Sequence, residues 1–183
     1  LGIKSSFNNN TIYLDKSMSI KDHPIIDCME SGSTLRFLIP VFAALGIECT
    51  FIGRGRLPYR PLGVYADCLP KNGVSLSSEK GLPLSIKGKL EAGIYELPGN
   101  VSSQFISGLL FALPLLTGDS EIILTTPLES ASYVKLTIDS LCNAGIVIRT
   151  TDKGWMIPGN QTYHAYDYTI EGDWSQAAFL IAM

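Results

Sequence analysis

Four short stretches of this 183-residue chain bring together residue types that hold small anions and hydroxyls. In the first, Glu30-Ser31-Gly32-Ser33-Thr34-Leu35-Arg36, an apolar helical run begins, and Gly32 lets backbone N–H groups come close to a ligand. Ser31 or Ser33 could equally be an ordinary helix cap there, and Arg36 an ion-pair partner within the helix. The second, Gly53-Arg54-Gly55-Arg56-Leu57-Pro58-Tyr59-Arg60-Pro61, places three arginines within seven residues of a Gly/Pro-shaped loop. Guanidinium forks pair bidentately with phosphate or carboxylate, although arginine is also common on solvated loops. The third, Pro98-Gly99-Asn100-Val101-Ser102-Ser103-Gln104-Phe105, is echoed by the fourth, Pro127-Leu128-Glu129-Ser130-Ala131-Ser132-Tyr133. Each puts hydroxyls at a helix start. Together with Gln104 and Tyr133 they could hold the phosphate and hydroxyls of a small polyol, whereas capping would need only one serine at each place.

No base or nucleophile accompanies these groups. His23 and His164 are the only histidines, no Ser/His/Asp set can be assembled around them, and no G-x-x-x-x-G-K-[ST] loop occurs. Cys28, Cys49, Cys68 and Cys142 form no C-x-x-C pair, so neither zinc spacing nor a redox motif is present and the thiols read as reduced and structural. A formal charge of −3 with 14 basic residues lacks the broad positive field that drives nucleic-acid binding. Residues 37–47 and 105–116 are the longest apolar stretches; both are too short for a bilayer and carry Pro40 and Pro114. No basic, apolar, small-residue signal precedes them, which points to a cytoplasmic protein.

The elements that must position these residues repeat. Ser33, Ser103 and Ser175 open similar apolar runs 70 and then 72 residues apart, while Gly2-Ile3, Gly73-Val74 and Gly145-Ile146 read as helix-ending glycines before strands, 71 and 72 apart. Within one period the pattern is β-α-β-α-β-β. Leu35, Leu38, Ile39, Phe42 and Leu45 recur at helical spacing, Gly46 ends the run, and residues 47–52 alternate as a strand. Pro40 is expected to kink that helix. A second helix over residues 62–72 matches residues 134–144, with Asp67 and Asp139, Leu69 and Leu141, Gly73 and Gly145 in register. With 46% hydrophobic residues the chain can bury a core of one domain or slightly more. Leu1-Gly2-Ile3 reads as the close of a helix and Ala182-Met183 as the interruption of one, so a piece of a longer protein is expected.

The motifs together resemble the family of 5-enolpyruvylshikimate-3-phosphate synthase, which transfers an enolpyruvyl group from phosphoenolpyruvate to shikimate 3-phosphate. The likeness rests on Ser31-Gly32-Ser33-Thr34-Leu35-Arg36, Arg56-Leu57-Pro58-Tyr59-Arg60-Pro61, Val101-Ser102-Ser103-Gln104-Phe105, Ser130-Ala131-Ser132-Tyr133 and Glu171-Gly172-Asp173-Trp174-Ser175, in the family's order. It implies an α/β (α+β) fold, the enolpyruvyl transferase fold, with two domains of three β-α-β-α-β-β units each. Residues 1–168 would be the shikimate-3-phosphate-binding domain, from the tail of its first unit through the second and third. Residues 169–183 would begin the second domain.

By that resemblance Ser102, Ser103, Ser130 and Tyr133 hold shikimate 3-phosphate, Gly32 and Arg56 meet phosphoenolpyruvate, and Gln104 lies between both ligands. Glu30, Ser33, Arg36 and Arg60 would be supporting. Catalytic acid/base residues would lie outside this chain, which alone should be inactive. The two small molecules would be the partners of a monomer, with no cofactor, metal, nucleic acid or membrane. Two departures stand out: Glu30 where many members have Asn, which should ion-pair or point away from an anion, and Ser33 in place of Thr. The sister enzyme acting on a UDP-amino sugar usually carries a reactive cysteine before its Arg-Pro pair, where this chain has Gly55 and Arg56. A non-catalytic anion- or RNA-binding module is the other alternative, disfavoured by the acidic balance.

Overall fold

The computed structural model describes residues 3–18, 22–78, 80–170, 172, 177–178 and 181–182. The expectations for Leu1-Gly2, for the Ser175 helix and for the Glu171 to Ser175 motif other than Gly172 lie outside the described residues. The first elements are a hairpin of β1 (Ile3–Asn8) and β2 (Thr11–Met18). Asn9 and Asn10 turn it with positive φ, as a two-residue connection between twisted strands requires.

Two successive units then share one plan. The first comprises β3 (Ile25–Asp27), α1 (Gly32–Ala44), β4 (Cys49–Ile52), α2 (Gly63–Cys68), β5 (Val74–Leu76) and β6 (Leu84–Gly88). The second comprises β7 (Ile94–Leu97), α3 (Ser103–Ala112), β8 (Ser120–Leu124), α4 (Ala131–Asn143), β9 (Arg149–Thr151) and β10 (Gly154–Ile157). Their sheets have the orders β3-β4-β6-β5 and β7-β8-β10-β9, the same topology. In each, the first two strands run parallel and the last two join antiparallel. The β-α-β-α-β-β unit read from the sequence is thus present twice.

Local chemistry explains where the helices start and stop. Ser31 caps α1 by accepting the Thr34 N–H at 3.1 Å, and Ser102 caps α3 by accepting the Gln104 N–H at 3.3 Å. The equivalent caps are therefore Ser31 and Ser102, in phase with the glycine series, whereas Ser33 and Ser103 lie inside the helices. Gly46 (φ +69°) and Gly145 (φ +82°) end α1 and α4 in left-handed turns. In both, the next two N–H groups return to the last helical turn.

The second helix of the first unit is shorter than its periodicity suggests: α2 stops at Cys68 and only a 3-10 turn, Pro70–Asn72, follows. Pro70 cannot donate to the ladder, so the helical bonding stops there although Leu69 keeps helical backbone. Helix α1, by contrast, runs through Pro40 without interruption.

The core lies where α1 and α3 pack together between the two sheets. Leu35, Ile39, Phe42 and Ala43 on α1 meet a face of Phe105, Ile106, Leu109 and Leu110 on α3, all 2% exposed or less. Strands close it with alternating residues such as Leu84 and Ile86. At the closest approach of the helices stands Gly108, where a Cβ would run into the Tyr65 hydroxyl and the Arg36 carbonyl. No helix among the described residues is long and apolar enough to cross a membrane.

Candidate functional site

The starts of α1, α3 and α4 meet around one cavity of about 550 Å³. Ser33 from α1, Ser102, Ser103 and Gln104 from α3, and Ser130 and Tyr133 from α4 line it. Phe37, Phe111 and Leu136 form its apolar side. Among the described residues no acidic side chain lines it. The starts of three helices, with their partial positive charge, thus adjoin a space furnished with hydroxyls, which suits an anion bearing hydroxyl groups.

Ser130 is the informative member. Its backbone is left-handed (φ +56°), and its hydroxyl makes no capping bond to α4. That conformation is costly for a non-glycine residue, and helix capping does not account for it here. Tyr133, 61% exposed, stands beside it with a free phenol edge, whereas Ser107 deeper in the cavity pairs with Thr137 at 2.7 Å.

A second group adjoins the first through Gln104. A methyl placed on Gly32 would lie 2.8 Å from Arg36 Nη1, 2.9 Å from Arg60 Nη1 and 3.4 Å from Gln104 Oε1, so these three side chains surround the bare glycine. Arg36 Nη1 donates to Gln104 Oε1 at 2.8 Å, and Gln104 Nε2 donates to Ser33 Oγ at 2.8 Å. Neither Arg36 nor Arg60 forms an ion pair among the described residues. Burial first, and the Arg60 charge second, push the Arg36 guanidinium down from its ordinary pKa. Two neighbouring cations without a carboxylate are an arrangement that a bound anion would relieve.

The three arginines of the loop sit in different surroundings. Arg60 is the loop arginine beside Gly32, while Arg54 pairs with Asp27 at 2.7 Å and ties the loop to the strand end before Gly32. Arg56 is exposed, at the start of the 3-10 turn Leu57–Tyr59, and in no ion pair among the described residues. Glu30, the residue that would repel an anion, lies over Gly55, with the carboxylate 2.5 Å from where a Cβ would stand.

Sequence reading missed Tyr65. Its hydroxyl, fully buried, donates to the carbonyl oxygens of Arg36 (2.7 Å) and Phe105 (3.0 Å), joining α1 to α3 just behind the site. A signal existed in Pro40: lacking an N–H, it leaves the carbonyl four residues earlier, that of Arg36, without its helical donor.

Among the described residues no cluster of three His, Cys, Asp or Glu side chains could hold a metal ion. The four cysteines also lie away from this site, with Cys28, Cys49 and Cys68 buried and Cys142 exposed on α4.

The fold, repeated α/β units whose helix starts converge on one cavity, is that of one domain of the enolpyruvyl transferase class. Solved EPSP synthase from Acinetobacter baumannii superimposes with a TM-score of 0.74 at 21% identity, covering 98% of this chain and 41% of that one. The family model of EPSP synthase (3-phosphoshikimate 1-carboxyvinyltransferase) matches residues 1–183. The 3-phosphoshikimate 1-carboxyvinyltransferases of Clostridium kluyveri and Clostridium botulinum are 49% and 47% identical over 187 and 183 residues. They match 100% and 99% of this chain, which spans 44% and 40% of their own lengths. The chain belongs to the EPSP synthase family.

Proposed function

We propose that this chain supplies most of the substrate-binding surface of one domain in an enzyme that moves an enolpyruvyl group from phosphoenolpyruvate to shikimate 3-phosphate. The observation that carries the reading is the junction at Gln104 of two unlike subsites, one rich in hydroxyls and one flanked by unpaired arginines. Ser102, Ser103, Ser130 and Tyr133 would hold the phosphorylated sugar acid. Gly32, Arg60 and Gln104 would hold phosphoenolpyruvate, and the position of the Arg60 guanidinium supports it over Arg56 for that role.

The chemistry begins with addition of a substrate hydroxyl to C2 of phosphoenolpyruvate as C3 takes up a proton. The resulting tetrahedral intermediate loses phosphate from C2 and the added proton from C3, which regenerates the vinyl group on the new ether. Side chains of this chain bind and orient; the proton-transfer groups would come from a second domain entered at residues 169–183, after a binding domain over residues 1–168. Closure of the two would exclude water and strengthen the ionic contacts. A cytoplasmic monomer acting on two small molecules suits the family.

Calorimetric titration of the full-length protein with shikimate 3-phosphate tests the reading. Unphosphorylated shikimate and a Ser102→Ala/Ser103→Ala variant serve as controls. Saturable binding that needs both the phosphate and the serines, followed by phosphate release when phosphoenolpyruvate is added, is the expected result. Absence of binding by the folded full-length protein would overturn it.

A further inference from the structure

The starts of α3 and α4 carry Ser102, Ser103, Ser130 and Tyr133, and a single hydroxyl ties together the two loops that lead into them. Thr126 Oγ1 accepts the Gly99 N–H at 2.9 Å and donates to Asn100 Oδ1 at 2.9 Å. Gly99 returns the contact through its carbonyl, which accepts the Glu129 N–H at 2.9 Å. Asn100 stands shortly before Ser102 and Glu129 immediately before Ser130, so the two serine-bearing turns are fastened to each other. Neither Thr126 nor the residues it clasps line the cavity.

The two backbones lie against one another at this point. A methyl on buried Gly99 would stand 2.8 Å from the Thr126 carbonyl oxygen, 2.9 Å from that of Pro127 and 3.0 Å from Leu128 Cα, so glycine is what lets the loops approach this closely. Closeness alone does not fix a register. The Thr126 hydroxyl does, because its one proton goes to Asn100 while it accepts from Gly99. Ser130, next after Glu129, keeps left-handed backbone, which persists in a non-glycine residue where the surroundings impose it. The Glu129–Gly99 bond just before it, and the Tyr133 N–H bonded to its own carbonyl at 3.0 Å, are those surroundings.

We infer that Thr126 is a positioning residue. By clasping the loop before α3 to the loop before α4, it sets Ser130 and Tyr133 at the spacing from Ser102 and Ser103 that the phosphorylated sugar acid requires, an inference that rests on reading this cavity as the site of that substrate.

The test uses the full-length enzyme carrying this sequence, with Thr126→Val, which keeps the shape and removes the hydroxyl, Thr126→Ser, which keeps the hydroxyl, Ser130→Ala, and the Thr126→Val/Ser130→Ala pair. KM for each substrate is measured, and deuterium uptake by mass spectrometry follows the peptides around Gly99 and Glu129. Thr126→Val is expected to raise KM for shikimate 3-phosphate roughly tenfold, the worth of one hydrogen bond to a charged group, and to speed exchange in both peptides with uptake elsewhere unchanged. KM for phosphoenolpyruvate should hold, Thr126→Ser should recover most of the loss, and the effect of Thr126→Val should shrink once Ser130 is alanine. An equal rise in both KM values, no recovery with serine, a general rise in deuterium uptake, or an undiminished effect in the Ser130→Ala background would each overturn the inference. If the unmodified enzyme does not bind shikimate 3-phosphate, the functional reading falls by itself; the exchange rates still decide the clasp, and unchanged uptake in both peptides of Thr126→Val would refute it.

Discussion

At Gly32 a single hydrogen separates an open anion cleft from a crowded one. Its would-be methyl meets the tips of Arg36 and Arg60, which can give way only by leaving the positions that surround the cleft. Gly32→Ala is therefore expected to raise KM for phosphoenolpyruvate by about tenfold or more, the usual worth of one misplaced methyl in a fitted pocket, with KM for shikimate 3-phosphate unchanged. Unaltered kinetics for both substrates would remove Gly32 from the site. Likewise Arg60→Ala should weaken phosphoenolpyruvate binding far more than Arg56→Ala, a comparison that direct titration of both variants settles. The Asp27–Arg54 pair adds a pH dependence. Hydrogen bonding to Arg54 first, and to the Met29 N–H second, holds the Asp27 carboxyl below its ordinary pKa. The stability this contributes is complete above the unfolded value of about 3.9 and is lost as pH falls through the lowered folded value. The advantage of the unmodified chain over Asp27→Asn in urea unfolding should be present at pH 7 and shrink on acidification; a constant difference would argue against the pair. That small residues and arginines would gather near Gly32 was legible because their types are unusual in an acidic chain. Which arginine reaches Gly32 was not, since that depends on the path of the loop, and Arg54 was already engaged by a carboxylate 27 residues away.

Between elements, the decisive contact is a hydroxyl that replaces a missing amide. Tyr65 on α2 satisfies the Arg36 carbonyl that Pro40 leaves without a donor, and a buried unpaired carbonyl costs roughly 1–3 kcal/mol. Tyr65→Phe should lower stability by about that amount, and Pro40→Ala in the same chain should recover part of it by restoring the helical N–H. Urea midpoints of the two variants measure this, and an unchanged midpoint in the double variant would show that Pro40 is not the reason for the contact. Helical periodicity made α1, α3 and α4 readable, and glycine stops marked the ends of α1 and α4, because one apolar face and a left-handed residue are local features. The length of α2 was misjudged: its apolar spacing continues past Pro70, and the lost donor outweighs the periodicity. Tyr65 looked like any aromatic on a helix, since its role depends on two carbonyls brought together only by packing.

At the scale of the whole molecule the buried thiols report on how completely the first unit is closed. Burial pushes Cys28 up to about 11 and Cys49 and Cys68 up to about 12, so at neutral pH almost no thiolate is present and reagents have no path to it. Alkylation of the native protein, mapped by mass spectrometry, should modify Cys142 and spare the other three until denaturant is added; early labelling of Cys49 or Cys68 would mean a looser core than the one described. The repeat itself was visible in the sequence because helix stops recur at a constant interval, and the shared sheet order follows from it. That residues of both units would meet around Gln104 followed from the family resemblance and not from the periodicity. Among the described residues the hydrogen bonds of each four-stranded sheet lie within one unit, one sheet spanning Ile25 to Gly88 and the other Ile94 to Ile157, while Arg36, Gln104, Ser33 and Tyr65 join the units through their helices. On the ribosome the strands of the first sheet are therefore all synthesised before α3 emerges, and the second follows in turn. The cavity at Gln104 belongs to neither nascent half and is completed only when they meet, so a chain stalled between them would carry a finished sheet and no such cavity.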